Sequence, residues 1–298
     1  MIEFVTAILT SLSTGAIYAL MSTALVLVWR STRVINFAQA GQAVLTTYIG
    51  YEITTRSGSY WIGFIAAVLS GALIGAGIDR FFMRPIFKRV KSGPIVMIAP
   101  VVATLGLLGI IQAIVGFFWG LNYLTIAAPV STEGIKVFGS VIAFSPFNLL
   151  VLISVTLSMI LLTILFQKTN LGLALRASAY SPEIAKLSGI KVEAIRTIGW
   201  ALAGAAGGLA GMLYVPGSYL YPNSMEVLLV FGFIAAVIGG LDSLFGAVAG
   251  AMILGFAINF STTYISYKLV FPTAFVILIL VLLIKPGGVF SSKKGRKD

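Results

Sequence analysis

Apolar stretches of membrane-spanning length recur along the whole chain, and short polar breaks separate them. About 20 consecutive apolar residues cross the hydrocarbon core of a bilayer as one α-helix. The pattern therefore predicts an all-α, polytopic transmembrane bundle of about eight to ten helices, in a single domain over residues 1–298. The nine segments that carry this prediction are 5–28, 35–54, 60–78, 95–116, 148–166, 197–215, 224–241, 243–262 and 269–285.

Two regions depart from the pattern of simple membrane helices. The turn Gly239–Ser243 is very short for a connection between two spanning helices. Its flanks are candidates for a broken or re-entrant element of the kind that transporters use. Segment 35–54 begins with Asn36, Gln39 and Gln42, and such amides are costly against lipid. The start of this segment is therefore predicted to lie in the protein interior.

Composition supports a membrane protein and excludes several classes of chemistry. The chain is 59% hydrophobic and 10% charged, whereas a soluble domain carries about 25% charged residues. Because cysteine and histidine are missing, disulfides, thiol nucleophiles, Ser-His-Asp triads and the common zinc and haem sites are excluded. No Gly-Lys pair occurs, so a Walker A phosphate loop is excluded as well. We expect no cofactor in this chain, with energy supplied by a partner chain or an ion gradient.

The positive charge is concentrated in alternate connections between the segments. The net charge is +11. When the long connection Gln167–Arg196 is placed in the cytoplasm, all but three of the 20 basic residues fall on that side, the exceptions being Arg56, Lys136 and Lys268. The positive-inside rule then predicts an external N-terminus and a cytoplasmic C-terminus. The basic cluster Arg80–Lys91 is expected to set topology or contact a partner, and the tail Lys293–Lys297 to set topology.

The Gln167–Arg196 connection is long, charged and patterned for short helices. The run Ser181–Glu183 supplies an N-cap, a proline for the first helical position and a negative charge for the positive helix end. Gly189 is suited to end such a helix. The pattern predicts a two-turn helix over Pro182–Ser188 with Ile184, Ala185 and Leu187 on its apolar side, and a second short helix over Leu171–Ala179. Two such helices either seat in a cleft of a partner or lie on the headgroups as a solvated loop.

Three further patterns each leave two alternatives open. Asn36, Gln39 and Gln42 are spaced by three, which places them on one helix face, where they either join helices by hydrogen bonds or line a translocation path. Glycines at four-residue spacing favour close helix packing or hinging; they include Gly204, Gly207, Gly208, Gly211, Gly246 and Gly250. The external segment Phe117–Phe147 is either an interfacial anchor or a docking ledge for an external binding protein.

Carboxylates within the membrane would indicate proton or sodium coupling. Only Glu52, Glu226 and Asp242 lie in or near the predicted segments, and all three are near segment ends. This distribution argues against an ion-coupled secondary transporter. The neutral amides, small residues and aliphatic residues predict a path without a deep, charge-lined pocket.

Several motifs resemble those of known permeases. Glu183-Ile184-Ala185 followed by Gly189 resembles the Glu-Ala-Ala-x-x-x-Gly loop of ABC-importer permeases. Elements spread in order over nearly the whole chain resemble the high-affinity branched-chain amino acid permeases of the LivH kind. These elements are Val34–Ala38, Arg84-Pro85, Leu171–Ala177 with Gly189-Ile190, Ala236–Gly250 and Lys285–Gly288. The family usually has His-Gly-Glu after Asn-Phe-Ala, where this chain has the neutral run Gln39–Gln42.

The resemblance implies the membrane-spanning subunit of an ABC importer for branched-chain or other hydrophobic amino acids, and not an enzyme. It implies a second permease subunit, more readily a heterodimer than a homodimer, two cytoplasmic ATPases that bind ATP and Mg²⁺, and an extracytoplasmic substrate-binding protein. It places the chain in a bacterial or archaeal inner membrane. A related permease for urea, a nucleoside or a simple sugar remains an alternative. The coupling-loop residues that it implies are Gly172, Arg176, Ala177, Glu183, Ala185 and Gly189.

Overall fold

The apolar segments fold into helices that pack side by side. The computed structural model describes residues 2–89, 95–137 and 140–290. Each of the nine predicted segments coincides with a helix, which confirms the all-α fold class. The helices are α1 (Ile2–Thr32), α2 (Ala38–Ser57), α3 (Tyr60–Gly77), α4 (Arg84–Arg89), α5 (Ile95–Trp119), α6 (Pro146–Lys168), α7 (Asn170–Tyr180), α8 (Pro182–Leu187), α9 (Val192–Tyr214), α10 (Glu226–Gly239), α11 (Leu244–Tyr264) and α12 (Val270–Ile284).

Seven helical stretches within the described residues are long and apolar enough to cross a membrane, and α10 is a shorter apolar helix beside them. Helix α1 packs against α9, α10 and α11, whereas α2 and α3 pack against α9. Helix α9 therefore joins two groups of helices into one bundle. In the most apolar window of α1, 83% of the residues are buried, compared with 6% for the last span, Tyr267–Ile284. Helix α1 is thus an axis of the bundle, and α12 lies at its periphery.

Helix α2 is too polar to count among those seven spans, yet most of its first half is buried. This confirms the prediction that the polar start of segment 35–54 lies in the protein interior. One detail of the prediction is wrong, because Asn36 precedes the helix, which starts at Ala38. Asn36 therefore reaches Gln39 from the preceding loop and not from the same helical face.

The sequence predicted a broken or re-entrant element beside the Gly239–Ser243 turn, at the end of α10. The irregular backbone instead precedes the start of α10. The short turn after Gly239 simply joins α10 to α11, where Ser243 accepts a hydrogen bond from the backbone N–H of Gly246 at 2.9 Å. Helix α10 has 14 residues, about 21 Å at 1.5 Å per residue, which is shorter than a bilayer core of about 30 Å. Irregular backbone over 215–225 precedes the helix. Val215, Leu220 and Met225 of this stretch are 0% exposed, whereas Tyr219 is 56% exposed, so the protein encloses the stretch only in part.

Most of the basic residues gather at one end of the bundle, called the basic end below. Arg33 pairs there with Asp242, and Arg84 pairs with Glu193. The backbone N–H of Val289 donates to the carbonyl of Ile238 at 2.8 Å, which brings the residues after α12 to the same end. Lys91 of the basic cluster and the tail Lys293–Lys297 lie outside the described residues.

The opposite end carries the segment that was predicted to lie outside. A short antiparallel hairpin forms there from β1 (Ile135–Val137) and β2 (Ser140–Ile142). Leu124 pairs with Leu220 through two backbone hydrogen bonds of 2.9 Å. The Tyr123 ring lies 5.8 Å and 5.0 Å from the ring centroids of Tyr219 and Tyr221. The segment is therefore fixed onto the irregular backbone before α10.

Candidate coupling loop and buried polar clusters

The Gln167–Arg196 loop contains both of the predicted short helices. They are α7 (Asn170–Tyr180) and α8 (Pro182–Leu187). Thr169 caps α7 by accepting from the N–H of Gly172 at 3.0 Å, and Ser181 caps α8 by accepting from the N–H of Ile184 at 3.4 Å. Gly189 has a φ of +83°, the left-handed conformation in which glycine commonly ends a helix.

A tight elbow joins α6 to α7. Gly172 is buried there, and a Cβ built on it would overlap the carbonyl oxygens of Leu165 and Phe166. Any larger residue would therefore push α7 away from α6. Of the other residues in this part of the predicted coupling loop, Arg176 is exposed and Ala177 is half-buried.

Helix α8 turns two large apolar side chains into solvent. Ile184 is 62% exposed and Leu187 is 89% exposed, while Ala185 is 3% exposed and packs toward the bundle. The prediction that these three residues share one apolar side is therefore wrong. Glu183, beside them, is exposed. A short helix with its small residue inward and its large apolar residues outward presents a surface that water does not favour.

A buried carboxylate lies beneath this loop. Asp79 is 0% exposed and belongs to a π-helical turn, Ile78–Met83, between α3 and α4. Its Oδ1 accepts from Arg196 Nε at 2.7 Å, and its Oδ2 accepts from the Thr197 hydroxyl at 2.6 Å and from Arg84 Nε at 3.3 Å. Turns of this type interrupt α-helices and are frequent at functional sites.

Arg84, which binds the Asp79 carboxylate, also contacts Glu193 in the first turn of α9. The Arg84 guanidinium donates to the backbone carbonyl of Glu193 at 2.8 Å and to its carboxylate at 3.3 Å. The Arg196 guanidinium lies 5.0 Å from the ring centroid of Phe87 in α4. We call Asp79, Arg84, Glu193, Arg196 and Thr197 the Asp79 hub. It links the end of α3 to the helix that leaves the loop.

The Asp79 hub was not predicted from the sequence. The expectation that only Glu52, Glu226 and Asp242 are carboxylates in or near the apolar segments is wrong, because Asp79 is buried at the end of segment 60–78. The overlooked signal was an acidic residue directly after apolar segment 60–78, with Arg84 following shortly after it. The three carboxylates that were considered lie at helix ends with partners already in place: Arg56 and Trp119 for Glu52, Gln112 and Asn223 for Glu226, and Arg33 for Asp242.

The amide cluster of Asn36, Gln39 and Gln42 lies deeper in the bundle, and all three residues are 0% exposed. Gln39 Nε2 donates to the carbonyl of Ala203 in α9 at 2.9 Å, and Gln42 Nε2 donates to the carbonyl of Gly71 in α3 at 3.2 Å. Asn36 Nδ2 donates to Gln39 Oε1 at 3.3 Å. Among the described residues, Asn36 Oδ1 and Gln42 Oε1 have no hydrogen-bond partner. The cluster therefore joins three helices and leaves two acceptors free.

Glycines make the room that these amides occupy. A Cβ on Gly204 would overlap the carbonyl oxygen of Gly71 and the Gln42 amide. A Cβ on Gly207 would lie 2.7 Å from the Gln39 amide nitrogen. The other spaced glycines also lie at close helix approaches: Gly208 at Ala67, Gly211 at Thr47, Gly246 at Gly239 and Gly250 at Ala235.

Comparison with known proteins identifies the family to which the chain is similar. The family model for the permease component of the branched-chain amino acid transport system matches residues 7–284. The "Probable branched-chain amino acid transport permease protein LivH" of Methanocaldococcus jannaschii is 31% identical over 91% of this chain and 87% of its own length. The high-affinity branched-chain amino acid transport system permease protein LivH of Escherichia coli K12 is 28% identical over 95% and 94%.

A solved structure shares the fold. PsaBC from Streptococcus pneumoniae in complex with Fab aligns with a TM-score of 0.52 and 14% identity, over 96% of this chain and 92% of that chain. At this identity the likeness concerns the fold alone.

Proposed function

The chain belongs to the family of permease components of branched-chain amino acid transport systems, and on that premise we propose that it is the membrane-spanning subunit of an ABC importer for branched-chain or other hydrophobic amino acids. The chain supplies part of the translocation path and performs no covalent chemistry. ATP and Mg²⁺ bind on partner ATPases. The similarity to the LivH relatives, which are named as branched-chain amino acid permeases, supports this substrate class.

The proposed assembly contains a second permease subunit, different from this chain, two ATPases and an extracytoplasmic substrate-binding protein. The basic end faces the cytoplasm of a bacterial or archaeal cell, because positive charge is retained on that side of the inner membrane. The N-terminus is then external and the C-terminus cytoplasmic. The ATPases meet the Gln167–Arg196 loop at the basic end, and the binding protein meets the opposite end.

The exposed apolar surface of α8 is the observation that carries this proposal. Ile184 and Leu187 project outward from a helix that is capped at Ser181 and ended at Gly189. Exposed leucine and isoleucine on a soluble loop are unfavourable unless a partner covers them. An apolar cleft on an ATPase would bury both side chains, in the manner of a short helix seated in a groove.

The Asp79 hub gives a route by which movement of this loop reaches the membrane helices. Arg196, the last residue of the loop, and Thr197 lie in the second turn of α9, and Asp79 ties both to the end of α3. When the ATPases close and push on α8, α9 and the end of α3 are expected to move together. The movement is a rigid-body tilt of packed helices, a common form of domain transition.

Leu187→Asp tests the docking role. The charge removes the apolar contact, so the ATPases should copurify with this chain at least several-fold less, and stimulated ATP hydrolysis should fall in parallel. Leu121→Asp is the matched control, since Leu121 is 76% exposed at the opposite end. Unchanged copurification of the ATPases with Leu187→Asp would contradict the docking role.

Substrate class is tested in proteoliposomes that contain the purified complex and its binding protein. Uptake of leucine, isoleucine or valine that requires ATP is the expected result. Uptake of urea, a nucleoside or a sugar instead would support the related permeases. Uptake that follows an ion gradient without ATP would contradict the assignment to an importer driven by ATPases. Asp79 does not favour ion coupling, because Arg84, Arg196 and Thr197 already occupy its oxygens.

A further inference from the structure

A cavity of about 590 Å³ lies between α1, α6, α7 and α11 at the basic end. Two arginines line it, Arg30 of α1 and Arg176 of α7. The prediction of a path without a deep, charge-lined pocket concerns the membrane interior and stays a prediction, because this cavity lies at the basic end. We call this cavity the arginine slot.

The arginine slot is polar at its base and apolar above. Arg30 and Thr23 both line it and are seven residues apart on α1, which corresponds to about 10 Å along the helix axis. Above Arg30, Met159 and Leu162 of α6 face Val248 of α11. The slot thus has a charged base at the basic end and a hydrocarbon wall that extends toward the membrane interior.

The positive charge of the two arginines is only partly compensated. None of the ion pairs among the described residues involves Arg30 or Arg176. Arg30 is half-buried, and its guanidinium lies 5.2 Å from the ring centroid of Phe166. The carboxylate that lines the slot, Asp242, contacts Arg33 and also attracts Arg30, which Arg33 and Arg176 repel. Because one carboxylate faces three arginines, the base of the slot keeps a net positive charge and favours an anion.

The slot opens to the side, between α6 and α11. Thr163, Gln167 and Phe245 line it and are exposed, which marks the open side. At its upper part, the Thr23 hydroxyl lies 3.7 Å from Met159 Sδ, and this contact closes the slot between α1 and α6. A ligand can therefore enter laterally from the bilayer with its charged group at the base.

We propose that the arginine slot binds an anionic phospholipid from the leaflet at the basic end. The phosphate lies between Arg30 and Arg176, and an acyl chain lies along Met159, Leu162 and Val248. Basic pockets between membrane helices bind anionic headgroups in this way, and each CH₂ buried against the wall adds to the affinity. The bound lipid fills the gap between α6 and α11 beside the coupling loop.

The charges favour a lipid anion over a transported amino acid. A zwitterion would bring an ammonium group as well as a carboxylate, and the ammonium group needs an unpaired acceptor. Asp242 is engaged by Arg33 and also faces Arg30, so the ammonium group would add positive charge to a base that already holds more arginines than carboxylates. A phosphate diester brings a single negative charge and an apolar tail, which matches both parts of the slot.

The test measures lipid retention by native mass spectrometry on the chain purified with its copurifying partners from nanodiscs of equal phosphatidylglycerol and phosphatidylcholine. The wild-type protein should retain phosphatidylglycerol in preference. Arg30→Gln with Arg176→Gln should lower that retention about tenfold. Arg80→Gln is the control, because Arg80 is exposed at the same end but outside the slot. Equal retention in the double variant, or an equal loss in Arg80→Gln, would overturn the proposal.

A second variant separates lipid binding from a simple anion site. Val248→Trp fills the apolar wall and leaves both arginines in place, so it should also lower phosphatidylglycerol retention several-fold. Retention that survives Val248→Trp, or that glycerol 3-phosphate abolishes as effectively as free phosphatidylglycerol, would overturn the role of the acyl chain. Displacement of the lipid by leucine would overturn the proposal in favour of a substrate site.

Discussion

The amide cluster and the Asp79 hub are both polar groups buried in an apolar bundle, but they join helices by different chemistry. The amide cluster is neutral, reaches backbone carbonyls of α3 and α9, and occupies space left by glycines. The Asp79 hub is charged, joins side chains with fixed partners, and lies where α9 leaves the coupling loop. Neutral amides join helices with a small desolvation cost and leave acceptors free. A buried carboxylate is strongly destabilising when its cationic partners move away.

This difference predicts different roles. A buried carboxylate with two guanidiniums has one favourable arrangement, so the elements that carry these groups are expected to move as one body. An amide that donates to a backbone carbonyl can exchange it for a neighbouring one during a helix movement. The Asp79 hub is therefore expected to transmit motion, and the amide cluster to hold the bundle while it moves.

Asp79→Ala should produce the largest loss of stability. It leaves Arg84 and Arg196 largely buried without their carboxylate, and removal of one partner of a buried ion pair costs about 3–5 kcal/mol. Thermal unfolding in detergent measures this loss. The control is Glu193→Gln, since Glu193 is about half exposed and exposed pairs are worth about 1 kcal/mol or less. An Asp79→Ala variant as stable as the Glu193→Gln variant would contradict the importance given to the buried carboxylate.

Gly204→Ala should have the next largest effect. The new Cβ would overlap the Gly71 carbonyl and the Gln42 amide, and such overpacking costs about 1–3 kcal/mol. Gly106→Ala in α5 is the matched control, because a Cβ there meets nothing within 4 Å. It should be neutral or slightly stabilising, since alanine favours a helix over glycine. Equal melting temperatures for the two variants would mean that the close helix approach at the amide cluster does not contribute to stability.

Gln39→Leu should have a smaller effect, of about 1 kcal/mol, as expected for one interhelical hydrogen bond in a membrane protein. Leucine keeps most of the side-chain volume but removes the bond to Ala203 in α9 and the bond that Gln39 Oε1 accepts from Asn36 in the preceding loop. Unfolding should shift slightly while the concentration dependence of leucine uptake stays the same. A changed substrate dependence at unchanged stability would assign the amide cluster to the translocation path.

Gln42→Leu should lower the stability of the protein less than Gln39→Leu does, because one polar atom of Gln42 is already unpaired.

The sequence predicted the parts of this molecule that depend on local pattern. Apolar runs located nine of the twelve helices in the described residues, and the Ser181–Gly189 pattern located α8, because capping acts between neighbouring residues. The burial of Gln39 and Gln42 followed from the cost of amides in lipid.

The sequence could not predict contacts between distant residues. Asp79 meets Arg196 across 117 positions, and a single acidic residue at the end of an apolar run is also typical of a solvated helix end. The arginine slot depends on how α6 lies against α1 and α11, so Arg30 carried only a topological signal, and Arg176 was assigned only to the coupling loop. The direction in which α8 turns Ile184 and Leu187 depends on the packing of Ala185 against the bundle, which periodicity alone does not determine.

The ratio of ATP hydrolysed to amino acid imported tests the central claim most directly. It is measured in proteoliposomes for Asp79→Asn, which keeps the shape of the side chain, and for Gln39→Leu. If the Asp79 hub carries motion from the coupling loop and the amide cluster only holds the bundle, Asp79→Asn should raise the ratio several-fold, and Gln39→Leu should leave it at the wild-type value. A wild-type ratio in Asp79→Asn, or an equal rise in both variants, would contradict the account.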